Sequence, residues 1–318
     1  MKKILVLGGT GFVGSHVCQK LALLPGRTTL PTRRTANAQH LQLLPAVDVL
    51  AADVHDEAVL TRLVAGHDAV VNLVAILHGT EAAFNKVHVE LPQKLARACQ
   101  ANGVRRVVHV SALGAALDAP SMYQRSKARG EQVLQAAALD LTLLRPSVIF
   151  GAEDKFLNVF AKLQQIFPVI PLAGADTRFQ PVWVQDVAQA VVHCLQHPDT
   201  AGQIFDLCGP DVMTLKQLVQ FAGKASGINH GRGRAVLGLP LALGRLQAAL
   251  MALAPGEPLM SRDNLDSMAV DNIADGLLPG LAALGITPAS VEAIAPGYLS
   301  ARAKRSVFQD MRRMAGRF

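Results

Sequence analysis

The chain of 318 residues is half hydrophobic and only 17% charged, below the usual quarter, which describes a globular protein with a well-buried core and little disorder. Its formal charge of +7 resembles a nucleic-acid signal until it is located: residues 300–318 hold six Lys/Arg against one Asp, so most of the excess belongs to a tail. With 4% aromatic residues, stacking platforms for single strands are not supported either, and no nucleic-acid partner is expected.

Ile4-Leu5-Val6-Leu7 reads as a short buried strand that runs into Gly8, Gly11 and Gly14, after which Phe12 to Leu24 carries an apolar helix pattern ended by Pro25-Gly26. Without a Cβ such a turn can tighten, approach a pyrophosphate and let the helix pack close to the strand, with the phosphates on the free N–H groups of the helix N-terminus. Three glycines at this spacing arise by chance in roughly one such chain in six. Their position, after a strand and opening a helix, is what points to a dinucleotide site.

Thr28-Thr29-Leu30 forms the second predicted strand and stops at Thr32-Arg33-Arg34. In a dinucleotide fold this end lies beside the adenosine ribose, where an acid would accept from the 2′-hydroxyl of NAD and an arginine would pair with the 2′-phosphate of NADP. Two arginines and no acid stand here, which favours NADP(H) over NAD(H). A third strand, Val47 to Ala51, ends at Asp53, which suits either an adenine amino group or a turn, and Asp56-Glu57 caps the next helix.

The fourth strand is Ala69 to Val74, followed by Ala75; its continuous apolar run suits a parallel sheet covered on both faces. Asn85 to Asn102 is predicted helical and closes at Gly103, and the fifth strand, Arg106 to Val110, delivers Ser111 to its C-terminal end, where ligands bind in open α/β sheets. Tyr123 and Lys127 lie four apart in a helical segment, Pro120 to Leu139, and therefore share a face. A phenol ordinarily titrates near pH 10, so acid–base work near neutrality asks for about 4 kcal/mol of differential stabilisation, which a neighbouring ammonium can supply. Lys127 could also hold ribose hydroxyls, and Ser111 could hydrogen-bond a substrate oxygen.

The sixth strand, Leu141 to Leu144, leads to Arg145-Pro146-Ser147. Beyond it the pattern predicts a helix over Phe156–Phe167, a Pro/Gly-rich turn region, a strand over Phe179–Val184, a helix over Asp186–Leu195, a strand over Gln203–Leu207 and a helix over Thr214–Ser226. The expected frame is a doubly wound α/β sheet of six parallel strands with a smaller C-terminal lobe. His193 and His197 lie four apart, but no glutamate or second ligand pair accompanies them, so no metal site is expected. Scattered cysteines without a secretory pattern predict a reducing cytosol, and no apolar run is long enough to span a membrane.

Together these residues resemble the short-chain dehydrogenase/reductase superfamily in its extended or atypical branch. Gly8-Gly9-Thr10-Gly11-Phe12-Val13-Gly14, Asp53-Val54, Ser111, Tyr123-x-x-x-Lys127 and Arg145-Pro146-Ser147 carry the likeness. His109 to Ala115, Tyr123 to Glu131, Phe179 to Ala188 and Ser261 to Leu265 narrow it to the group related to the nucleotide-binding accessory subunit of mitochondrial complex I. The resemblance implies a nucleotide site on Gly8, Thr10, Gly11, Phe12, Val13, Gly14, Arg33, Arg34, Asp53, Val54, Val74, Ala75, Tyr123, Lys127 and Pro146, and a Ser111/Tyr123/Lys127 centre for an oxidoreductase or epimerase. The spacing of 12 between Ser111 and Tyr123 is short for an extended member. The alternative it implies is a nucleotide-stabilised accessory protein of respiratory or quinone-biosynthetic machinery.

The expected organisation is a nucleotide-binding domain over 1–227, to which 151–180 adds part of the substrate lobe, a cap lobe over 228–299 and a basic tail over 300–318. Val307, Met311, Met314 and Phe318 recur in the tail at helical spacing among arginines, which suits an anionic lipid surface or an acidic partner; a frayed soluble tail is the alternative. The expected location is the cytoplasm, with a peripheral membrane position open through this tail. The expected substrate is a small hydroxyl or carbonyl compound or a quinone-related molecule.

Overall fold

Alternating β-branched runs and helical patterns form the expected α/β order in a computed structural model that describes residues 1–240, 243–244 and 261–300. The chain runs through β1 (Lys3–Leu7), α1 (Phe12–Leu21), β2 (Arg27–Thr32), β3 (Val47–Ala51), α2 (Glu57–Val64), β4 (Ala69–Asn72), α3 (Glu81–Asn85), α4 (Leu91–Asn102), β5 (Arg106–Val110), α5 (Met122–Gln135) and β6 (Asp140–Pro146). It continues through β7 (Ile149–Phe150), α6 (Leu157–Ile166), β8 (Val169–Ala173), β9 (Arg178–Phe179), β10 (Val182–Trp183), α7 (Val184–Gln196), β11 (Ile204–Leu207), β12 (Met213–Thr214), α8 (Leu215–Ala225) and β13 (Ala235–Leu239).

The chain packs as two units. The first comprises Met1–Pro146, Val184–Leu207 and Ala274–Thr287; the second draws on Ser147–Trp183 and on the described parts of Cys208–Ile273 and Pro288–Phe318. The chain thus passes between the units several times. From Ala301 onward the amphipathic tail lies outside the described residues, as does most of the apolar stretch beyond Pro240.

In the first unit seven strands form one parallel sheet in the order β11-β6-β5-β4-β1-β2-β3. This is one strand more than expected: Ile204–Leu207 pairs with β6, where Phe205 and Leu207 are buried. Strand order reverses between β1 and β4, and the crevice outside the carboxyl ends of such a pair is where doubly wound sheets bind ligands. Leu5 and Leu7 of β1 enter a core with Leu60, Leu91, Leu95, Val107 and Leu134, while Val6 alternates to the other face.

The helix expected from Asn85 to Asn102 is interrupted by a π turn over Lys86–Glu90. Pro92 explains it, because proline donates no hydrogen bond and its ring crowds the carbonyl four residues earlier, that of His88. The displaced His88 carbonyl faces Gly130 of α5, where a Cβ would collide with it.

In the second unit α6 and α8 pack over β8 and β13, with Ile170, Leu172, Val219 and Val236 buried between them. β8 occupies the region expected to be turn. The single strand expected over Phe179–Val184 is instead two, separated by Gln180-Pro181 and paired with different partners, in keeping with proline's missing donor.

Candidate functional site

The glycine turn is built by close approach. Gly8 sits at φ +81°, where side chains are strained, and a Cβ on it would lie 3.0 Å from the Leu73 carbonyl carbon after β4. Gly11 donates to the Gly8 carbonyl at 3.0 Å and is the N-cap of α1, with no side-chain cap. A Cβ on Gly14 would collide with the Gly8 carbonyl oxygen and lie 2.5 Å from Gly9 Cα. Thr10, Phe12 and Val13 are half-buried along this turn, with the Phe12 ring edge-on to His16 at 5.9 Å. A cradle that a methyl group would fill, opening on the uncapped N-terminus of a ten-residue helix, fits the pyrophosphate of a dinucleotide.

Arg33 and Arg34 are exposed immediately after β2, and Thr32 Oγ1 holds this corner by donating to the Arg34 carbonyl at 3.1 Å. Asp53 is exposed after β3; its Oδ1 accepts from the His55 N–H at 3.0 Å, so a turn role is realised while its other oxygen stays open. Burial holds His55 below its ordinary pKa, and the charges of Lys86, Arg33 and Lys94 add to this against the pull of Asp53. Val54 and Val74 pack against the sheet's core, Val74 N–H donates to Asn72 Oδ1 at 3.2 Å, and Ala75 is exposed beside them.

Ser121 caps α5 by accepting from the Gln124 N–H. This start sets the helix so that Lys127, buried, donates from Nζ to the Val110 carbonyl at 2.8 Å, one residue before Ser111. The short spacing between Ser111 and Tyr123 therefore still brings Lys127 to the end of β5. Ser111 is buried, its N–H donates to the Leu144 carbonyl at 2.7 Å, and its Oγ has no partner. Pro146 ends β6 and accepts from the Leu113 N–H at 2.9 Å, binding the segment after Ser111 to the neighbouring strand.

Tyr123 stands one turn before Lys127, its ring edge-on to Phe84 at 6.1 Å and to His88 at 5.5 Å. Burial pushes its phenol up to about 12. Burial also brings Lys127 down to about 8, against the opposing charge of Glu131. The charge of Lys127 registers on His88 and His109, both of which burial already holds neutral.

His88 and Ser126 were not singled out from sequence. His88 Nε2 accepts from the Ile76 N–H at 3.1 Å, so Nδ1 carries the proton and donates to Ser126 Oγ at 2.8 Å; Ser126 in turn donates to the Tyr123 carbonyl at 2.7 Å. One neutral histidine thereby ties the segment after β4 to the turn that bears Tyr123. The available signal was Pro92, which displaces the helix at the position of His88.

A lysine buried at about 8 makes stability depend on pH. Between about pH 8 and its ordinary 10.5 the unfolded chain binds the extra proton, so the Lys127 contribution rises with pH, by up to about 3 kcal/mol. Thermal unfolding at pH 7.5 and pH 10 should show the wild type gaining stability relative to Lys127→Met. Parallel pH responses would show that Lys127 titrates normally.

The rings of His193 and His197 stack 3.8 Å apart. Among the described residues no group of three or more His, Cys, Asp or Glu is placed to hold a metal, and no helix is long and apolar enough to cross a membrane.

A parallel sheet whose strand order reverses between β1 and β4, with a strand-glycine-helix cradle after β1 and Lys127 brought to the end of β5, defines a fold of the Rossmann type. Residues 4–208 match the NAD dependent epimerase/dehydratase family, and the chain belongs to that family. It is 33% identical over 294 residues to NADH dehydrogenase [ubiquinone] 1 alpha subcomplex subunit 9, mitochondrial, of Mus musculus, covering 90% of this chain and 77% of that protein. The ceramide reductase of Caulobacter vibrioides is 28% identical over 196 residues, 61% of each chain. Among solved structures, the NADPH-dependent quinone oxidoreductase QOR2 of Escherichia coli, complexed with NADPH, superimposes with TM-score 0.76 at 22% identity over 93% of this chain and 99% of that one. The last likeness shows a shared fold.

Proposed function

We propose that the chain is an NAD(P)(H)-dependent reductase with NADP(H) as the preferred cofactor, acting on a carbonyl or quinone-type substrate at Ser111, Tyr123 and Lys127. The observation that carries this reading is the buried Ser111 hydroxyl without a partner. Leaving such a group unsatisfied costs about 1–3 kcal/mol, and a substrate oxygen would relieve it. Gly8 to Gly14 would hold the pyrophosphate, Asp53 and Val54 with Val74 and Ala75 the adenosine side, and Arg33 and Arg34 the 2′-phosphate. When bound, the nicotinamide supplies or accepts the hydride. At neutral pH a phenol pushed up to about 12 is protonated, so Tyr123 is in the form that donates a proton to a carbonyl oxygen. Lys127 keeps N–H donors beyond the one given to Val110, suited to ribose hydroxyls.

The second reading, a nucleotide-stabilised accessory protein that does not turn over, is favoured by the identity to the mitochondrial complex I subunit. Titration with NADPH and NADH, followed by single-turnover absorbance with quinones, long-chain ketones and nucleotide sugars, separates the two. Tight binding with decay on one substrate class supports the reductase; tight binding that decays on none supports the accessory role.

Arg33→Ala with Arg34→Ala should weaken NADPH about ten- to a hundredfold, the worth of one or two charge-assisted hydrogen bonds, and leave NADH within about twofold. Equal losses for both nucleotides in the same titration would remove these arginines from phosphate recognition.

A further inference from the structure

In the second unit, β8 and β13 pair in parallel with Val169 opposite Ala235 and Pro171 opposite Leu237. Ile170, Leu172 and Val236 alternate inward to the core, so the outward face should be polar. It is apolar instead: Val169 is 39% and Leu237 58% exposed, and the end of α6 adds Ile166 at 71% and Phe167 at 49%. Gln164, fully buried, fixes this corner by donating to the Val219 carbonyl at 2.5 Å and accepting from the Arg234 N–H at 2.9 Å. The apolar ridge is therefore part of a braced platform.

Its charge pattern says what covers it. Lys162, Lys224 and Arg232 are exposed near this corner, and Arg234 is half-buried in it. No Asp or Glu occurs anywhere in residues 155–175 or 212–256, where the chain's composition would place about five, while seven Lys/Arg do. A second copy docking through this face would set cations against cations across a two-fold axis. Beyond Leu239 the sequence continues to Ala254 with Arg245 as its single charge.

We infer that this face docks on an anionic lipid bilayer, Ile166, Phe167, Val169 and Leu237 entering the headgroup boundary and Lys162, Lys224, Arg232 and Arg234 meeting lipid phosphates. Exposed apolar side chains inside a basic rim are the physical basis of interfacial membrane binding. This inference goes beyond the proposed reductase and does not depend on it.

The test is co-sedimentation of the full chain with phosphatidylcholine vesicles, with and without phosphatidylglycerol, at low and high salt. The wild type should pellet with the anionic vesicles and be released by salt. Lys224→Gln with Arg232→Gln should weaken partitioning about twenty-five-fold, roughly fivefold per charge. Phe167→Glu with Leu237→Glu should abolish it. Unchanged thermal unfolding midpoints confirm that these exposed substitutions leave the fold intact. Three outcomes overturn the inference: no binding of the wild type to anionic vesicles; loss of binding in Arg312→Gln with Arg313→Gln but not in the face variants; or a wild-type dimer in sedimentation velocity that Phe167→Glu splits.

Discussion

Replacing Tyr123 by phenylalanine is expected to lower the single-turnover rate about a hundred- to ten-thousandfold, the usual worth of a positioned proton donor, while NADPH affinity stays within about twofold. The substitution removes one oxygen and keeps the ring, so the edge contacts to Phe84 and His88 survive and the fold should be unperturbed. The turn that carries the residue is held by backbone and neighbours, through Ser126 and the neutral His88, none of which needs the phenol. Loss of turnover with retained nucleotide therefore isolates the chemistry from the binding. An unchanged single-turnover rate would take Tyr123 out of the reaction and move the proton donor elsewhere. If the chain is an accessory protein, the same variant should support its role in cells as well as the wild type does.

The parts of the fold that were legible from sequence are those whose signals are local. β1 and its glycines, the Asp56 cap that accepts from Val59, and the left-handed Gly103 that closes α4 each announce themselves within a few residues. The Tyr123–Lys127 pair was legible for the same reason, since a spacing of four defines a helix face. What Lys127 touches was not. Its bond to the Val110 carbonyl depends on how β5, the loop to Ser121 and α5 pack, and the phenol's rise to about 12 reflects burial that no spacing reveals. β8 escaped because Val169-Ile170-Pro171-Leu172 is preceded by Pro168 and interrupted by Pro171, and its partner β13 lies more than 60 residues further on. Proline is tolerated there because a two-stranded sheet has open edges. His88 and Ser126 escaped because a buried polar pair leaves no periodic trace. Only Pro92, out of place within a helical pattern, marked the site of the π turn, a feature frequent at functional sites.

Gly14→Ala should abolish measurable nucleotide binding and lower stability by about 3 kcal/mol or more, the range of severe overpacking. The added methyl would meet the Gly8 carbonyl oxygen and lie 2.5 Å from Gly9 Cα, and both are backbone atoms that no rotamer change can move aside. Relief requires α1 to shift away from the turn, and that shift spoils the approach of its N-terminal N–H groups to a phosphate. Gly66→Ala is the matched control. Gly66 has φ +74° with nothing within 4 Å of a Cβ, so alanine there carries left-handed strain alone, about 1 kcal/mol, at a position outside the cradle. Thermal unfolding and NADPH titration of the two variants separate collision from strain. If Gly14→Ala bound NADPH like the wild type, α1 could retreat without consequence, and the turn after β1 would not be the phosphate cradle. Equal destabilisation of the two variants would show that the helix yields to the methyl group, and that close packing of α1 on the turn contributes little to the fold.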